Sequence, residues 1–348
     1  MTTSPRVLFH SPSRRGLGHV MRGANLARAI TLADPTAAVQ LHVATAAAGT
    51  ACGADVPWVA GDPATPGCWQ RLLAEFRPSL VVFDTILPGP WADDTVSRAF
   101  VWRHSVPARH RETLADARLA AMRVIVVPHT REEFGYDLPE SLRARAVFAG
   151  PIVRTTDAPG QARVRERYGL GDGDIIVTST VGGGGFDDSA AWLLDVVLSA
   201  HDALEARIPR LRHIVVRGPL SARSRPLVGA GLTVVDADPD LVHLMAISTL
   251  VVAEAGYNTV QEIQQVKVPA LLVPGERTYD DQAGRARALE TQGLVRVVGR
   301  TSKGAAVEAL VTLACDTAAL NDMRDRARAR THDIGNARAS MALLQAAR

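Results

Sequence analysis

Residues 250–262 read Leu-Val-Val-Ala-Glu-Ala-Gly-Tyr-Asn-Thr-Val-Gln-Glu, and they constrain the fold of this chain more than any other stretch. Leu250, Val251 and Val252 form an apolar, largely β-branched run of the kind found in strands buried on both faces. Gly256 ends the run, and Asn258-Thr259 followed by Glu262 reads as a helix start with an acidic residue in its first turn. A strand that turns through glycine into a helix leaves backbone N–H groups and the positive end of the helix dipole facing the turn. That combination makes an anion site. Glu262, one to two turns in, is placed to accept hydrogen bonds from a diol. A second strand follows at 269–273, then Pro274-Gly275, then Asp280-Asp281-Gln282 opening another helix. Two successive strand–loop–helix units set their loops side by side at the carboxyl edge of one sheet, where open α/β folds bind ligands. Ordinary α/β domains contain such turns as well, so the ligand reading rests on what accompanies them.

What accompanies them is the same alternation along the whole chain. Strand-like runs at 6–10, 39–44, 56–60, 80–83, 99–102 and 124–127 are separated by helical stretches, notably 69–76 and 107–121. After a Pro/Gly-rich break from Gly150 to Gly160, read as a domain linker, strands recur at 174–180, 213–216, 232–235, 250–252, 270–273 and 294–298. This predicts an α/β protein of two doubly wound parallel-sheet domains, residues 1–150 and 151–325. Helical residues 326–348 follow, with Met341, Leu343 and Leu344 as the side chains the last helix would bury.

The 348 residues suffice for two such cores, and a formal charge of +3 from 39 basic and 36 acidic side chains is too small and too dispersed to suggest nucleic acid. Arginine far outnumbers lysine, but Arg14-Arg15 and residues 324–330 are the densest basic runs. Cys52, Cys68 and Cys315 have neither disulfide-framework nor metal-ligand spacing, and no apolar run reaches membrane-spanning length. With no signal peptide before the first strand, a cytoplasmic chain is expected.

Several residues fall where chemistry would be expected. Gly16-Leu17-Gly18-His19 lies at the first strand-to-helix turn. A cation is disfavoured at that end of the helix dipole, which suits His19 to general-base work; a local cap is the alternative. Asp84 directly follows a buried strand and is either its partner or a loop carboxylate capping Thr85 or a nearby helix. His104 and His129 also end strands and read as loop histidines. Gly182-Gly183-Gly184-Gly185 permits close backbone approach to a ligand, without the spacing of a phosphate-binding Walker loop or a dinucleotide fingerprint. Its alternative is a plain surface loop. Asp236-Ala237-Asp238-Pro239-Asp240 has the look of a metal-binding Asp-x-Asp, but Asp238 or Asp240 is more simply a helix cap.

Together these marks resemble glycosyltransferases of the GT-B type, in particular the MurG branch. Gly16-Leu17-Gly18-His19 is similar to that family's N-terminal glycine loop, with Gly16 and Gly18 on the acceptor side. Gly150-Pro151-Ile152-Val153-Arg154 resembles its interdomain segment, which implies Arg154 near the nucleotide. The glycine run implies a diphosphate beside Gly183 and Gly184. Ala255-Gly256-Tyr257-Asn258-Thr259-Val260-Gln261-Glu262 is similar to its Ser-Gly-Ala-x-Thr-x-x-Glu. That implies diphosphate near Gly256, Asn258 and Thr259, and ribose on Glu262. Asp281-Gln282 stands where the family's Gln-Gln holds the donor sugar, with Asp281 replacing the first glutamine. The resemblance implies two Rossmann-like domains facing across a cleft, with the last helix packing back toward the first. It implies an inverting transferase that moves a sugar from a nucleotide-diphosphate sugar, a UDP-sugar, to a small-molecule or natural-product acceptor. His19 would be the base and Asp84 its partner, with no metal and no other cofactor. Loops 45–70 and 86–108, with Trp58, Trp69, Trp91 and Trp102 in or near them, would shape the acceptor site. Gly18-His19-Val20-Met21-Arg22 also resembles the PseG-type UDP-sugar hydrolase of pseudaminic acid synthesis. A non-catalytic nucleotide-sugar-binding protein is the reading from a different class, and a UDP-sugar 2-epimerase is a further one within the fold.

Overall fold

The structure is a computed structural model and describes residues 4–11, 16–89, 95–185, 187–220 and 229–348. Arg14-Arg15, Trp91 and Phe186 lie outside the described residues. The chain divides into two compact units, Met1–Val153 with Asp333–Arg348, and Arg154–His332.

The first unit is built on a sheet of β1 (Arg6–Ser11), β2 (Ala38–Val43), β3 (Trp58–Ala60), β4 (Leu80–Asp84), β5 (Ser97–Val101), β6 (Val124–Val127) and β7 (Ala146–Phe148). The strands are all parallel, in the order β3-β2-β1-β4-β5-β6-β7. Side chains alternate between two buried faces. Val7, Phe9, Leu80 and Val82 join the core under helices Gly18–Ala33 and Asn336–Ala347, while Leu8, Val81 and Phe83 join the core under helix Cys68–Phe76. Burial on both faces is why these strands read as unbroken apolar runs. Trp69 and Trp102 are buried core residues.

The second unit repeats the plan with β8 (Ile175–Thr180), β9 (Leu211–Val216), β10 (Leu232–Val235), β11 (Leu250–Ala253), β12 (Ala270–Leu272) and β13 (Arg296–Val297), ordered β10-β9-β8-β11-β12-β13. Helices Asp187–Glu205, Lys303–Cys315 and Thr317–Arg328 cover one face, and Tyr257–Val266 and Gln282–Thr291 cover the other.

In both sheets the order reverses once, between β1 and β4 in the first and between β8 and β11 in the second. In the second sheet the helices after β8 and β11 go to opposite faces, Asp187–Glu205 to one and Tyr257–Val266 to the other, at the ligand position of open α/β sheets. In the first sheet helix Gly18–Ala33 follows β1, while β4 leads on to β5 with no helix among the described residues. His19 and Asp84 follow β1 and end β4; Gly183 and Gly256 follow β8 and β11.

Four local expectations are corrected. The helix expected over 107–121 is two pieces, Pro107–Leu114 and a 3-10 turn Ala117–Ala121, because the Asp116 carboxylate accepts from the Arg118 amide (2.9 Å) and starts a new turn. The break read as a linker to Gly160 ends earlier. Asp157 caps a helix at Ala158–Tyr168 by accepting from the Gly160 amide (2.6 Å), with proline in the first turn. β7 was not expected, and β13 is shorter than the 294–298 run; strands of three and two residues are too short for a periodic signal. Met341 is 57 % exposed, while Leu343 and Leu344 are buried as expected, with Ala339 beside them.

Residues 333–338 return to the first unit and cross residues 149–153. The Gly335 amide donates to the Pro151 carbonyl (2.6 Å), and Asn336 exchanges two hydrogen bonds with the Val153 backbone (3.1 and 2.7 Å). A Cβ on Gly335 would lie 2.5 Å from the Gly150 carbonyl oxygen, which only glycine avoids. Leu343 is fully buried in the core beneath helix Gly18–Ala33. Leu343→Ala should therefore cost the first unit about 2–5 kcal/mol, read as a lowered unfolding midpoint in a denaturant titration.

Candidate functional site

The first-unit site is organised by one carboxylate. Asp84 ends β4 in full burial and takes both Arg22 and His19. Arg22 Nε donates to Oδ2 (2.9 Å), Arg22 Nη2 donates to Oδ1, and His19 Nδ1 lies 2.8 Å from Oδ1. Helix Gly18–Ala33 supplies both partners, since His19 and Arg22 are three residues apart and share a face. Burial pushes the Asp84 carboxyl up, but the Arg22 charge and the hydrogen bonds from His19 and Arg22 together outweigh it and hold the group below the usual carboxylate range. An ionised carboxylate only accepts, so Nδ1 of His19 donates to it, which in the neutral ring makes Nε2 the nitrogen with the lone pair. The His19 side chain is 24 % exposed, against 3 % for Asp84. The imidazole is thus oriented from behind and reachable in front, which is the arrangement of a general base. Neither residue caps a helix, since Leu17 occupies the N-cap of Gly18–Ala33.

Thr85 completes the support. Its hydroxyl donates to Asp84 Oδ1 (2.7 Å) and accepts from Arg22 Nη2 (3.2 Å). Its backbone has φ of +62°, and the Ile86 amide donates to the Asp84 carbonyl (2.7 Å), a tight turn over three residues. A β-branched residue in that region is strained by about 1–3 kcal/mol. Near the end of the same sheet, the His10 ring stacks on His42 and meets Phe83 and Trp69 edge-on. Burial holds these two imidazoles down to about 3 and about 4, so both are neutral at pH 7. Arg22 and Thr85 were missed as site residues; the i, i+3 spacing from His19 was the available signal for Arg22.

The second-unit site surrounds the ends of β8 and β11. Gly182 and Gly184 have φ of +67° and +76°, so the glycine run is a shaped turn. Gly218 packs directly on it: a Cβ there would fall 2.5 Å from the Gly182 oxygen. Helix Tyr257–Val266 starts one residue earlier than expected, with Gly256 at its N-cap and no side-chain cap. Its first turn, holding Asn258 and Thr259, contains no acidic residue, and Glu262 falls in the second. The expected acid in the first turn is corrected by that shift. Burial drives Glu262 up to about 8, opposed only by the charge of Arg154, so its carboxyl holds a proton at neutral pH. Arg154 is engaged elsewhere, donating to the Pro239 carbonyl and to Asp240 Oδ1 (3.3 Å).

Asp240 corrects another expectation, whereas Asp238 Oδ1 accepts from the Asp240 amide (2.7 Å) at the entry to the next helix, as a capping side chain does. Asp240 stands at the N-cap of helix Leu241–Ala246 but makes no capping bond. Arg154, Arg163 and Arg167 take its carboxylate, while Asp238 accepts from Arg167 (2.5 Å) and the Tyr168 hydroxyl (2.6 Å). Asp281 does cap a helix, accepting from the Gly284 amide (2.8 Å), and the Gln282 side chain accepts from the Gly275 amide (2.8 Å). His129 Nε2 accepts from the His104 amide (2.9 Å), so those two histidines brace one another's loops. Among the described residues no group of three His, Cys, Asp or Glu is placed to hold a metal, and no helix is long and apolar enough to cross a membrane.

Residues 179–336 match the glycosyltransferase family 28 C-terminal domain. The chain is 32 % identical over 164 residues to the UDP-N-acetylglucosamine–N-acetylmuramyl-(pentapeptide) pyrophosphoryl-undecaprenol N-acetylglucosamine transferase of Methylorubrum extorquens, covering 45 % of this chain and 43 % of the relative. It spans about half the length of the curated relatives it matches. Among solved structures, the glycotransferase of kitacinnamycin superposes with a TM-score of 0.60 at 17 % identity over 100 % of both chains. MurG of Acinetobacter baumannii superposes at 0.55 with 15 % identity over 98 % of this chain and 99 % of its own. Those structures share the two-domain GT-B fold.

Two outcomes follow from the site's strain and burial. Thr85→Gly should be more stable than Thr85→Ala by about 1 kcal/mol, the reverse of the usual order, because only the backbone strain separates them; denaturant titration of the pair reads it. For Glu262, the folded state holds a proton more tightly than the unfolded chain, whose carboxyl titrates near 4.5. Stability is therefore lost as pH rises from about 4.5 through about 8, and Glu262→Gln should gain on the parent over that window, with the two converging at pH 4.

Proposed function

We propose that this MurG-like chain of GT-B fold, with its glycosyltransferase family 28 C-terminal domain, transfers a sugar from a nucleotide-diphosphate sugar to a hydroxyl of a small-molecule acceptor with inversion. The observation that carries this reading is the His19–Asp84–Arg22 constellation at the reversal point of the first sheet. Nε2 of His19 takes the acceptor proton as the oxygen attacks the anomeric carbon. The bond from that carbon to the diphosphate breaks, and its electron pair leaves on the phosphate oxygen. Attack opposite the leaving group inverts the centre.

The donor belongs to the second unit. In this reading the diphosphate lies beside Gly183–Gly184 and the first turn of helix Tyr257–Val266, whose dipole favours the charge that grows as the bond breaks. Glu262 receives the ribose hydroxyls, and Arg154, Asp281 and Gln282 line the nucleotide and sugar. The donor is a UDP-sugar, the class named in the Methylorubrum extorquens relative. No metal is required in this scheme, because backbone amides and side-chain cations receive the charge. A natural-product acceptor accords with the kitacinnamycin relative.

His19→Ala should lower kcat by about 100- to 10,000-fold while leaving UDP affinity in calorimetry unchanged. Unchanged turnover would sink the general-base assignment. Stoichiometric release of UDP and free sugar from a UDP-sugar without acceptor would instead identify a hydrolase. Binding of UDP with no turnover across a broad acceptor panel would identify a sensor.

A further inference from the structure

Glu254 lies between the end of β11 and Gly256, at the reversal point of the second sheet, and it is buried. Its two oxygens are taken by two arginines from different loops. Arg277, after β12, donates to Oε2 (2.5 Å), and Arg300, after β13, donates to Oε1 (2.7 Å). Both side chains are drawn sideways across the sheet edge toward the glycine-run side. Arg277 Nη1 also donates to Ser189 Oγ (3.1 Å) in the first turn of helix Asp187–Glu205, the helix that follows the glycine run. Arg300 Nε donates to the Pro274 carbonyl (3.0 Å), and its guanidinium lies over the Trp192 ring of the same helix. The loops after β11 and β12 and the helix after β8 are thus bridged by guanidinium groups.

A carboxylate that collects two guanidiniums in a buried, forked arrangement presents to them the same pattern of oxygens that a phosphate would. The neutral amides of the glycine run and of the helix start supply no net charge, whereas a diphosphate leaving group carries at least two negative charges. We propose that Arg277 and Arg300 are the cationic clamp for the donor diphosphate and that Glu254 is their internal counter-ion, holding both guanidiniums in position until phosphate oxygens share them. This rests on the reading of the second unit as the nucleotide-sugar site. It adds the charge that site needs and assigns it to residues outside the motifs read in the sequence. The carboxylate weakens the clamp for a free anion, so its removal strengthens anion binding even as it loosens the loops.

The test is calorimetry on the full chain with UDP, inorganic pyrophosphate and uridine as probes, alongside thermal melting. Arg277→Met and Arg300→Met should each weaken UDP and pyrophosphate by about tenfold or more and leave uridine unchanged. Arg277→Lys should recover part of the loss, because a point charge replaces a fork. Glu254→Gln should tighten pyrophosphate by about threefold while lowering the melting temperature. A purely structural cluster would show lower melting temperatures in all four variants with unaltered UDP and pyrophosphate affinities, and that result overturns the proposal. Should Arg277→Met fail to fold, Arg300→Met and Arg277→Lys decide the same question. If pyrophosphate binding depends on Arg277 while the parent protein transfers no sugar, the transferase reading fails and the clamp stands. If His19→Ala abolishes transfer while the arginine variants bind normally, the clamp alone fails. A parent protein that binds neither pyrophosphate nor a nucleoside diphosphate overturns both.

Discussion

Each sheet reverses its strand order at one place, and everything chemical in this protein is arranged around those two places. The constraint is geometric. A parallel strand must be followed by a crossover, crossovers are right-handed, and strands laid down in opposite directions from the same starting strand send their helices to opposite faces. The two loops that diverge at such a reversal leave room between them. In the first unit that room is bordered by the imidazole of His19 and the carboxylate of Asp84; in the second it is bordered by the glycine run and Gly256. A covered sheet edge elsewhere does not offer that space.

Electrostatics then assigns different work to three buried carboxyls. Asp84 is ionised because Arg22 and the hydrogen bonds it receives outweigh the cost of burial. Glu254 holds two guanidiniums at hydrogen-bonding distance. Glu262 is equally buried, but the one cation that acts on it, Arg154, is committed to Asp240, so burial wins and the carboxyl is protonated. The same side-chain chemistry therefore supplies an orienting anion, a counter-ion and a neutral hydrogen-bonding group. The difference lies in how many cations reach each carboxyl.

Backbone geometry carries the remaining precision. Thr85 is held at positive φ although it is β-branched, and its hydroxyl is thereby aimed at Asp84. Gly218 admits the glycine run to within contact distance of its own α-carbon, and Gly335 does the same for the chain crossing at Ala149–Gly150. In each case a local cost is tolerated because surrounding packing over-determines the conformation, a pattern common at functional sites.

The order of strands and helices, the parallel sheets and the positions of His19, Asp84, Gly183 and Gly256 were legible in the chain, because apolar periodicity and glycine-to-helix turns act over a few residues. Short β7 and β13 and the break at Asp116 were not, since a strand of two or three residues has no period and a side chain competing for a backbone amide overrides propensity. The tertiary structure alone decided which charges meet. Asp84 finds Arg22 across 62 residues, Glu254 finds Arg300 across 46, and the acids at 238 and 240 both meet Arg167. Local sequence sets where the chain turns. Burial and the distance between charges, which set what each titratable group does, exist only once the sheets have formed.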